Sequence, residues 1–145
     1  MFVLDASVIV KWFIHESDSD IAKKFIDTHV SGKGLISAPD LLSYEVSNVL
    51  LLKAHLLPIK VVDCIEALYD LRITLISPSQ ENIREVILTA DCYRLTVYDA
   101  AYVVLAKRLG YSLITADVSL YEKTRSHFNV KLLSVFSSLL LSSSR

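Results

Sequence analysis

The stretch LTVYDAAYVVLAKRLGYSLITAD, residues 95–117, carries the pattern that decides the fold. Apolar residues at helical spacing predict a helix over 98–109, and Gly110 suits the left-handed position that follows a helix. The β-branched run at 112–115 predicts a short buried strand. A helix that leads directly into a buried strand is typical of an α/β domain.

The same alternation of short strands and longer helices extends in both directions along the chain. Strands are predicted at 2–4, 35–36, 73–76 and 130–135, and helices at 8–13, 19–29, 41–56, 58–71, 79–93 and 118–126. Asp40 is predicted to be the N-cap of the helix over 41–56, and Pro58 suits the first turn of the next helix. This alternation predicts an α/β domain with a mainly parallel central sheet.

Composition limits the domain organisation and excludes several enzyme classes. The chain has 145 residues, of which 52% are hydrophobic, so we expect a single domain over 1–135 and a Ser/Leu-rich tail, flexible or partner-docking, over 136–145. Three glycines cannot form a phosphate-binding P-loop or a dinucleotide-binding turn. With 15 basic and 16 acidic side chains, no overall basic field indicates nucleic-acid binding.

The cysteine pattern and the apolar segments bear on the compartment. Cys64 and Cys92 fit neither a disulfide framework nor zinc-ligand spacing, which indicates a reducing environment. Asp5 lies where a secretory signal would be apolar, and no apolar run is long enough to cross a membrane. We therefore expect a soluble cytoplasmic protein.

Two acidic residues follow predicted strands. Asp5 comes directly after the strand at 2–4, and Asp117 follows the strand at 112–115. Functional groups in an open α/β sheet collect at the carboxyl ends of the strands. Each acid also has a local explanation, because each precedes a predicted helix and can act as its N-cap.

Two further acids lie within predicted helices. The spacing Thr96-x-x-Asp99 matches a capping box, so Asp99 can simply satisfy the start of its helix. Glu45 is harder to explain locally, because it interrupts a predicted apolar stripe formed by Leu41, Glu45, Asn48 and Leu52. A carboxylate on a buried stripe must be paired in a salt bridge, protonated or bound to a cation.

Taken together, four acids from four separate segments, two of them predicted at the same edge of the sheet, would suit a hard cation. Mg²⁺ and Mn²⁺ prefer carboxylate oxygen and water, and they take one or two carboxylates directly. Such a site suits phosphoryl chemistry, because the metal neutralises phosphate oxygens and lowers the pKa of bound water.

The local sequences around these acids resemble the PIN-domain ribonucleases, especially the VapC-type toxins of toxin–antitoxin pairs. The matching segments are LDASVIVKWF at 4–13, PDLLSYEVSNVL at 39–50 and residues 95–117, with the acids in the order Asp-Glu-Asp-Asp. The resemblance covers essentially the whole chain. One departure lies after the last Asp, where many relatives carry a further acid and this chain has Val118 and Ser119.

The resemblance implies a Rossmann-like three-layer α/β/α sandwich and an Mg²⁺- or Mn²⁺-dependent endoribonuclease. By motif, Asp5 and Asp99 match the principal metal ligands, and Glu45 and Asp117 match the acids that complete the metal site, either directly or through water. Three further positions match supporting residues of the family, namely Ser7, Thr115 and Asn48. The partners implied are an RNA substrate and a small antitoxin.

Several other side chains outside the acidic motifs also have an interpretation, and the chain has one alternative function. The Leu-rich helix over 41–57 has more apolar surface than one sheet face covers, so we expect a homodimer. Lys11 is interpreted as an exposed solubilising residue or a phosphate contact, Trp12 as a core residue, and the four histidines as surface or hydrogen-bonded residues. The alternative function is a catalytically silent PIN-fold binding module, in which the acidic pocket holds a cation or a basic peptide.

Overall fold

The strand β1 (Phe2–Leu4) lies at the centre of a five-stranded parallel sheet in the computed structural model, which describes residues 1–137. The other strands are β2 (Ile36–Pro39), β3 (Thr74–Ile76), β4 (Ser112–Thr115) and β5 (Val130–Leu132), and the sheet order is β3-β2-β1-β4-β5. All neighbouring strands pair in parallel. The predicted mainly parallel sheet is therefore confirmed.

Helices cover this sheet. They are α1 (Ala6–Ile9), α2 (Ser19–Val30), α3 (Leu42–Asn48), α4 (Pro58–Asp70), α5 (Gln80–Tyr93), α6 (Val97–Leu109) and α7 (Val118–Thr124). Short 3₁₀ turns form at Val10–Trp12 and Leu133–Val135, and a π-helical segment forms at Val49–Lys53. The architecture is the three-layer α/β sandwich that the sequence predicted. No helix within residues 1–137 is long and apolar enough to span a membrane.

The centre of the sheet is completely buried. Val3 and Leu4 of β1 and Leu113 and Ile114 of β4 are all 0% exposed. Strands of a parallel sheet with both faces covered are apolar at successive positions, which explains these runs. Helix α6 packs against β1, β2 and β4, so it is held by the best-packed part of the molecule.

The strand order creates a switch point between β1 and β4. The chain leaves β1 toward β2 and β3 on one side, and then crosses to β4 on the other side. Leu4 pairs with Ile114, and the Asp5 N–H donates to the Ile114 carbonyl at 3.0 Å. Ligands of open α/β sheets bind outside the carboxyl ends of the strands at such a point.

The helix predicted over 41–56 differs from the structure. Strand β2 extends to Pro39, so the chain turns at Asp40 and α3 begins only at Leu42, with Leu41 as its N-cap. The predicted N-cap role of Asp40 is wrong, because its carboxylate instead accepts a 2.6 Å bond from the Ser77 hydroxyl. After α3 the chain continues as the π-helical segment.

The predicted stripe on this helix is also shifted by one position. The residues of α3 and the following segment that are 0% exposed are Leu42, Val46 and Leu50. Glu45 lies at the edge of this stripe and is half-buried, while Leu52 is 60% exposed. The core therefore takes the uninterrupted apolar stripe of this segment and not the neighbouring one that contains Glu45 and Asn48.

Other boundaries differ slightly, and one interpretation fails. The strand predicted at 130–135 ends at Leu132, where the 3₁₀ turn begins, and the helix predicted at 118–126 ends at Thr124. Lys11 is buried rather than exposed, because its ammonium group donates to Glu16 at 3.1 Å and to the Ser17 carbonyl at 2.8 Å. The ion pair and the carbonyl compensate the loss of water.

Two interpretations of aromatic side chains are confirmed. Trp12 lies in the core, where its indole N–H donates to the Ala22 carbonyl at 2.8 Å. The ring of His29 is hydrogen-bonded to the Ile36 N–H and the Leu71 carbonyl. Of the predicted tail 136–145, residues 138–145 lie outside the described residues, and Phe136 packs edge to face on Phe25 at 5.4 Å.

Candidate active site

Asp5 is the first residue after β1, and it is buried, with 6% exposure. It occupies the N-cap position of α1, but its side chain makes no capping bond. Instead its Oδ2 atom accepts hydrogen bonds from the Ser7 hydroxyl at 2.6 Å and from the Thr115 hydroxyl at 2.7 Å. The capping interpretation of the Asp5 side chain is therefore wrong, and its carboxylate is held by two hydroxyl groups.

The two hydroxyl groups also connect Asp5 to the segment after β4. Ser7 Oγ accepts the Ala116 N–H at 2.9 Å, and Thr115 Oγ1 accepts the Asp117 N–H at 3.0 Å. A hydroxyl has one proton to donate and lone pairs to accept with, so each group satisfies a carboxylate and a backbone donor together. This network fixes the ends of β1 and β4 to each other.

Asp117 and Asp99 both lie at helix starts. Asp117 is the N-cap of α7, and its Oδ1 accepts the Leu120 N–H at 3.1 Å. Asp99 lies in the first turn of α6, where its backbone N–H donates to the Thr96 hydroxyl at 3.0 Å. The capping explanation of Asp117 is thus confirmed, whereas at Asp99 the contacts described within residues 1–137 include only the Thr96 half of the predicted capping box, so the Asp99 carboxylate is not explained by these two capping bonds. They involve one carboxylate oxygen of Asp117 and only the backbone of Asp99, so they leave both side chains available for a second role.

Glu45 is brought to the site by α3 and is bonded to α6. Its Oε2 accepts a hydrogen bond from the Tyr102 hydroxyl at 2.5 Å. The partner is therefore a hydroxyl group and not the cation of a salt bridge. Tyr102 is 0% exposed, and sequence reasoning missed it. The available signal was its position one turn after Asp99, as the one hydroxyl-bearing residue in the apolar run at 100–106.

The pKa values of Asp5 and Glu45 are set by burial, by hydroxyl partners and by neighbouring acids. Burial raises the pKa of Asp5 above its ordinary value, against the two hydroxyl bonds, and the charges of Asp99 and Asp117 raise it further. Burial, together with the charges of Asp5 and Asp99, raises the pKa of Glu45 to about 7, although the Tyr102 bond opposes this. The structure thus brings the four predicted acids close enough to affect one another.

The ligand types present suit a hard divalent cation. Carboxylate and hydroxyl oxygens lie at the strand ends, and a bound cation would favour the charged forms of Asp5 and Glu45, whose pKa values are raised by burial and, to a lesser extent, by the neighbouring acids. Over residues 1–137, no three His, Cys, Asp or Glu side chains are close enough to bind one ion together. Asn48 is exposed at the end of α3, so its supporting role stays a prediction.

An apolar groove lies on the same side of the molecule as α5 and the start of α6. It has a volume of about 480 Å³ and runs between the ends of β2 and β3 and helices α5 and α6. Its lining includes Pro39, Ile83, Val86, Tyr98 and Leu109. Tyr98, the neighbour of Asp99 in the chain, lines the groove, whereas none of the four predicted acids does.

Comparisons with known proteins agree with this geometry. The family model of the PIN domain matches residues 2–125. Ribonuclease VapC3 of Pyrobaculum aerophilum is 33% identical over 125 residues, which cover 83% of this chain and 92% of that protein. The crystal structure of PAE2754 from Pyrobaculum aerophilum superposes with a TM-score of 0.70 at 19% identity, covering 97% of this chain and 89% of the other. The chain belongs to the PIN domain family, and within it is related to the VapC-type ribonucleases.

Proposed function

We propose that this protein is a cytoplasmic endoribonuclease that depends on Mg²⁺ or Mn²⁺ and hydrolyses RNA phosphodiester bonds. The observation that carries the proposal is the pair of acids at the switch point, the buried Asp5 and the half-buried Glu45, whose pKa values are raised by burial and by neighbouring acids. Perturbed acids at the carboxyl ends of parallel strands are typical of a catalytic site. The relationship to a ribonuclease of the VapC type indicates the reaction.

In this proposal Asp5 and Asp99 bind the cation directly, and Glu45 and Asp117 act through water. A direct set of one or two carboxylates is usual for Mg²⁺, and it is compatible with the absence of a three-residue cluster in residues 1–137. The bound ion would supply neutralisation of phosphate oxygens, activation of water and stabilisation of the leaving 3′-oxygen.

Hydrogen bonds within the protein hold the proposed catalytic carboxylates in position. The Ser7 and Thr115 hydroxyls keep the Asp5 carboxylate in one orientation, and the bond to Leu120 does the same for Asp117. Glu45, whose carboxylate accepts the Tyr102 hydroxyl, is assigned the orientation of the attacking water and the acceptance of its proton as a general base. Asn48, one turn after Glu45, is assigned the support of that side chain.

The test is cleavage of a panel of labelled RNAs by purified protein with Mg²⁺, with Mn²⁺ and with a chelator. The Asp5→Asn/Asp99→Asn double variant removes the two proposed metal ligands, and Asp70→Asn/Asp91→Asn is the matched control on exposed acids away from the site. We expect metal-dependent cleavage by the wild type and the control, and none by the first variant.

Two outcomes would contradict the proposal. Equal cleavage by the wild type and the Asp5/Asp99 variant would identify a contaminating nuclease. Metal binding by a folded protein that cuts no RNA of a panel covering all short sequence contexts would favour the silent binding module.

We further propose that the protein is a toxin that forms a homodimer and is inhibited by a small antitoxin. Support for the dimer is the apolar surface after α3, where Leu51, Leu52 and Leu57 are 42%, 60% and 67% exposed. Surfaces of this kind mark protein contacts. Leu52→Glu should give a monomer by light scattering, whereas Leu88→Glu, at an equally exposed leucine of α5, should leave the dimer intact.

The groove between helices α5 and α6 is the proposed site for an apolar segment of the antitoxin. Ile83 of α5 lines the groove and is 40% exposed, while Ile87 of the same helix is exposed and does not line it. Ile83→Glu should therefore abolish binding of the proposed antitoxin, and Ile87→Glu should not. Equal binding by both variants would contradict this location.

A further inference from the structure

We propose that Tyr102 is a positioning residue that fixes the Glu45 carboxylate relative to Asp99, so that helix α6 sets the spacing of these two acids. This inference rests on the proposed function, because it assigns a role within the same site. It starts from a contact that neither the motifs nor the family resemblance indicated.

A short hydrogen bond joins Tyr102 of α6 to Glu45 of α3. The Tyr102 hydroxyl donates to Glu45 Oε2 at 2.5 Å, and the Tyr102 side chain is 0% exposed. Hydrogen bonds from a hydroxyl to a carboxylate are short and about twice as strong as those between neutral groups. Because the tyrosine ring is enclosed by the core, the place of the hydroxyl is fixed, and the Glu45 oxygen that accepts from it is fixed too.

The second step is the position of Tyr102 on α6. Residues three apart on a helix lie on the same side, so Asp99 and Tyr102 face the same region. Side chains of a helix lean toward its N-terminus, which brings the tyrosine ring over the turn that carries Asp99. One rigid helix therefore supplies one acid directly and the anchor of another.

The third step is that α3 alone does not fix Glu45. Helix α3 spans only Leu42–Asn48, its N-cap Leu41 makes no side-chain capping bond, and a π-helical segment follows it. A glutamate has a long side chain with many rotamers, and ordering it costs conformational entropy. The Tyr102 hydroxyl, which belongs to a helix packed on β1, β2 and β4, supplies the missing constraint.

The test compares Tyr102→Phe with Tyr111→Phe, which removes a hydroxyl from a partly buried tyrosine packed against the core, at the opposite end of α6. Mn²⁺ binding to metal-free protein is measured by calorimetry. We expect Tyr102→Phe to weaken Mn²⁺ binding by ~5-fold, less than the roughly 10–100-fold typical of a partner of a direct ligand because Glu45 acts through water, and Tyr111→Phe to bind like the wild type. On RNA, Tyr102→Phe should lower kcat and leave KM unchanged.

A double-mutant cycle with Glu45→Gln separates positioning from a general effect on the fold. If Tyr102 acts through the Glu45 carboxylate, Tyr102→Phe should not weaken Mn²⁺ binding further in the Glu45→Gln background. An equal loss in both backgrounds would overturn the proposal, because Tyr102 would then act through the fold.

The outcomes also distinguish this proposal from the proposed function. Wild-type Mn²⁺ binding that Asp5→Asn/Asp99→Asn abolishes and Tyr102→Phe leaves intact would overturn the role of Tyr102 alone. A wild type that binds no Mn²⁺ would overturn both. If Tyr102→Phe fails to fold, the test is the NMR signal of the Tyr102 Cζ carbon in wild-type protein with labelled tyrosine. This signal should shift over the same range of Mn²⁺ concentration in which calorimetry detects binding. A signal that does not move would overturn the proposal.

Discussion

Two glutamates near helix α6 show opposite behaviour. On the outer side of α5, Glu85 accepts hydrogen bonds from Lys107 at 2.9 Å and Arg108 at 2.7 Å. These bonds, the one from Lys107 foremost, hold the pKa of Glu85 below its ordinary value. At the strand ends, burial and the nearby Asp5 and Asp99 raise the pKa of Glu45 to about 7.

This difference in pKa shows which acids are paired with positively charged side chains of the same protein and which are not. The acid of the α5–α6 contact is paired with cations of the same chain, so it needs no ligand. The acids at the strand ends have hydroxyl partners, which fix their orientation without cancelling their charge. A positively charged ligand is therefore favoured at the second site and not at the first.

The largest expected effect is the loss of RNA cleavage when an acid at the strand ends is replaced. Asp5→Asn should lower RNA cleavage by at least ~100-fold, because a direct ligand contributes more than the groups that orient it, whose loss costs about 10–100-fold. Glu85→Gln, the matched change in the other region, should cut RNA like the wild type. Initial rates at saturating Mn²⁺ measure both, and equal losses would remove the distinction between the two regions.

The second effect is stabilisation by metal. An ion that binds only the folded state should raise the free energy of unfolding by about 2.7 kcal/mol at one hundred times its dissociation constant. Urea unfolding with and without Mn²⁺ measures this. The increase should disappear in Asp5→Asn and persist in Glu85→Gln. No stabilisation of the wild type would contradict metal binding at the strand ends.

The third effect is the pH dependence of the metal-free protein. The pKa of Glu45 is raised from 4.5 to about 7, so the folded state binds the proton more tightly and its stability falls as pH rises through this range. The loss is roughly 2 kcal/mol after allowance for solvent screening of this half-buried group. Urea unfolding from pH 4.5 to 8 measures the loss, which Glu45→Gln should reduce.

The smallest expected effect is the loss of stability when Glu85, which is paired with Lys107 and Arg108, is replaced. The pKa of Glu85 is lowered, so its contribution to stability is present above its unfolded pKa and is lost as pH falls through the folded value. Glu85→Gln should lower the free energy of unfolding at pH 7 by ~0.5 kcal/mol, and high salt should shrink this difference. A loss as large as the pH effect of Glu45 would contradict the distinction.

The fold was largely predictable because its signals are local. The apolar run of β4, the helix that ends before Gly110 and the helix that begins at Pro58 all lie within a few residues of the predicted bounds. The main error lies at Asp40, which does not cap the following helix, because strand pairing of β2 extends to Pro39 and α3 begins at Leu42. That pairing depends on β3, which is distant in the chain.

The candidate site was predictable in part. The acids at the ends of β1 and β4 follow from the alternation of elements, since parallel neighbouring strands end at the same edge. The partner of Glu45 was not predictable, because Tyr102 lies on another helix and its hydroxyl has no preferred partner in the sequence. Lys11 was misjudged for a similar reason, since its burial depends on Glu16 and the Ser17 carbonyl.

By itself, the sequence determined the alternation of strands and helices and the order of the acids along the chain. These features depend on periodicity, turn residues and local propensity, which act between near neighbours. Only the tertiary structure decided that Glu45 bonds to Tyr102, that Asp40 bonds to Ser77 and that Thr115 orients Asp5. Each of these contacts joins distant segments, and whether such a contact forms depends on how the whole core packs around it.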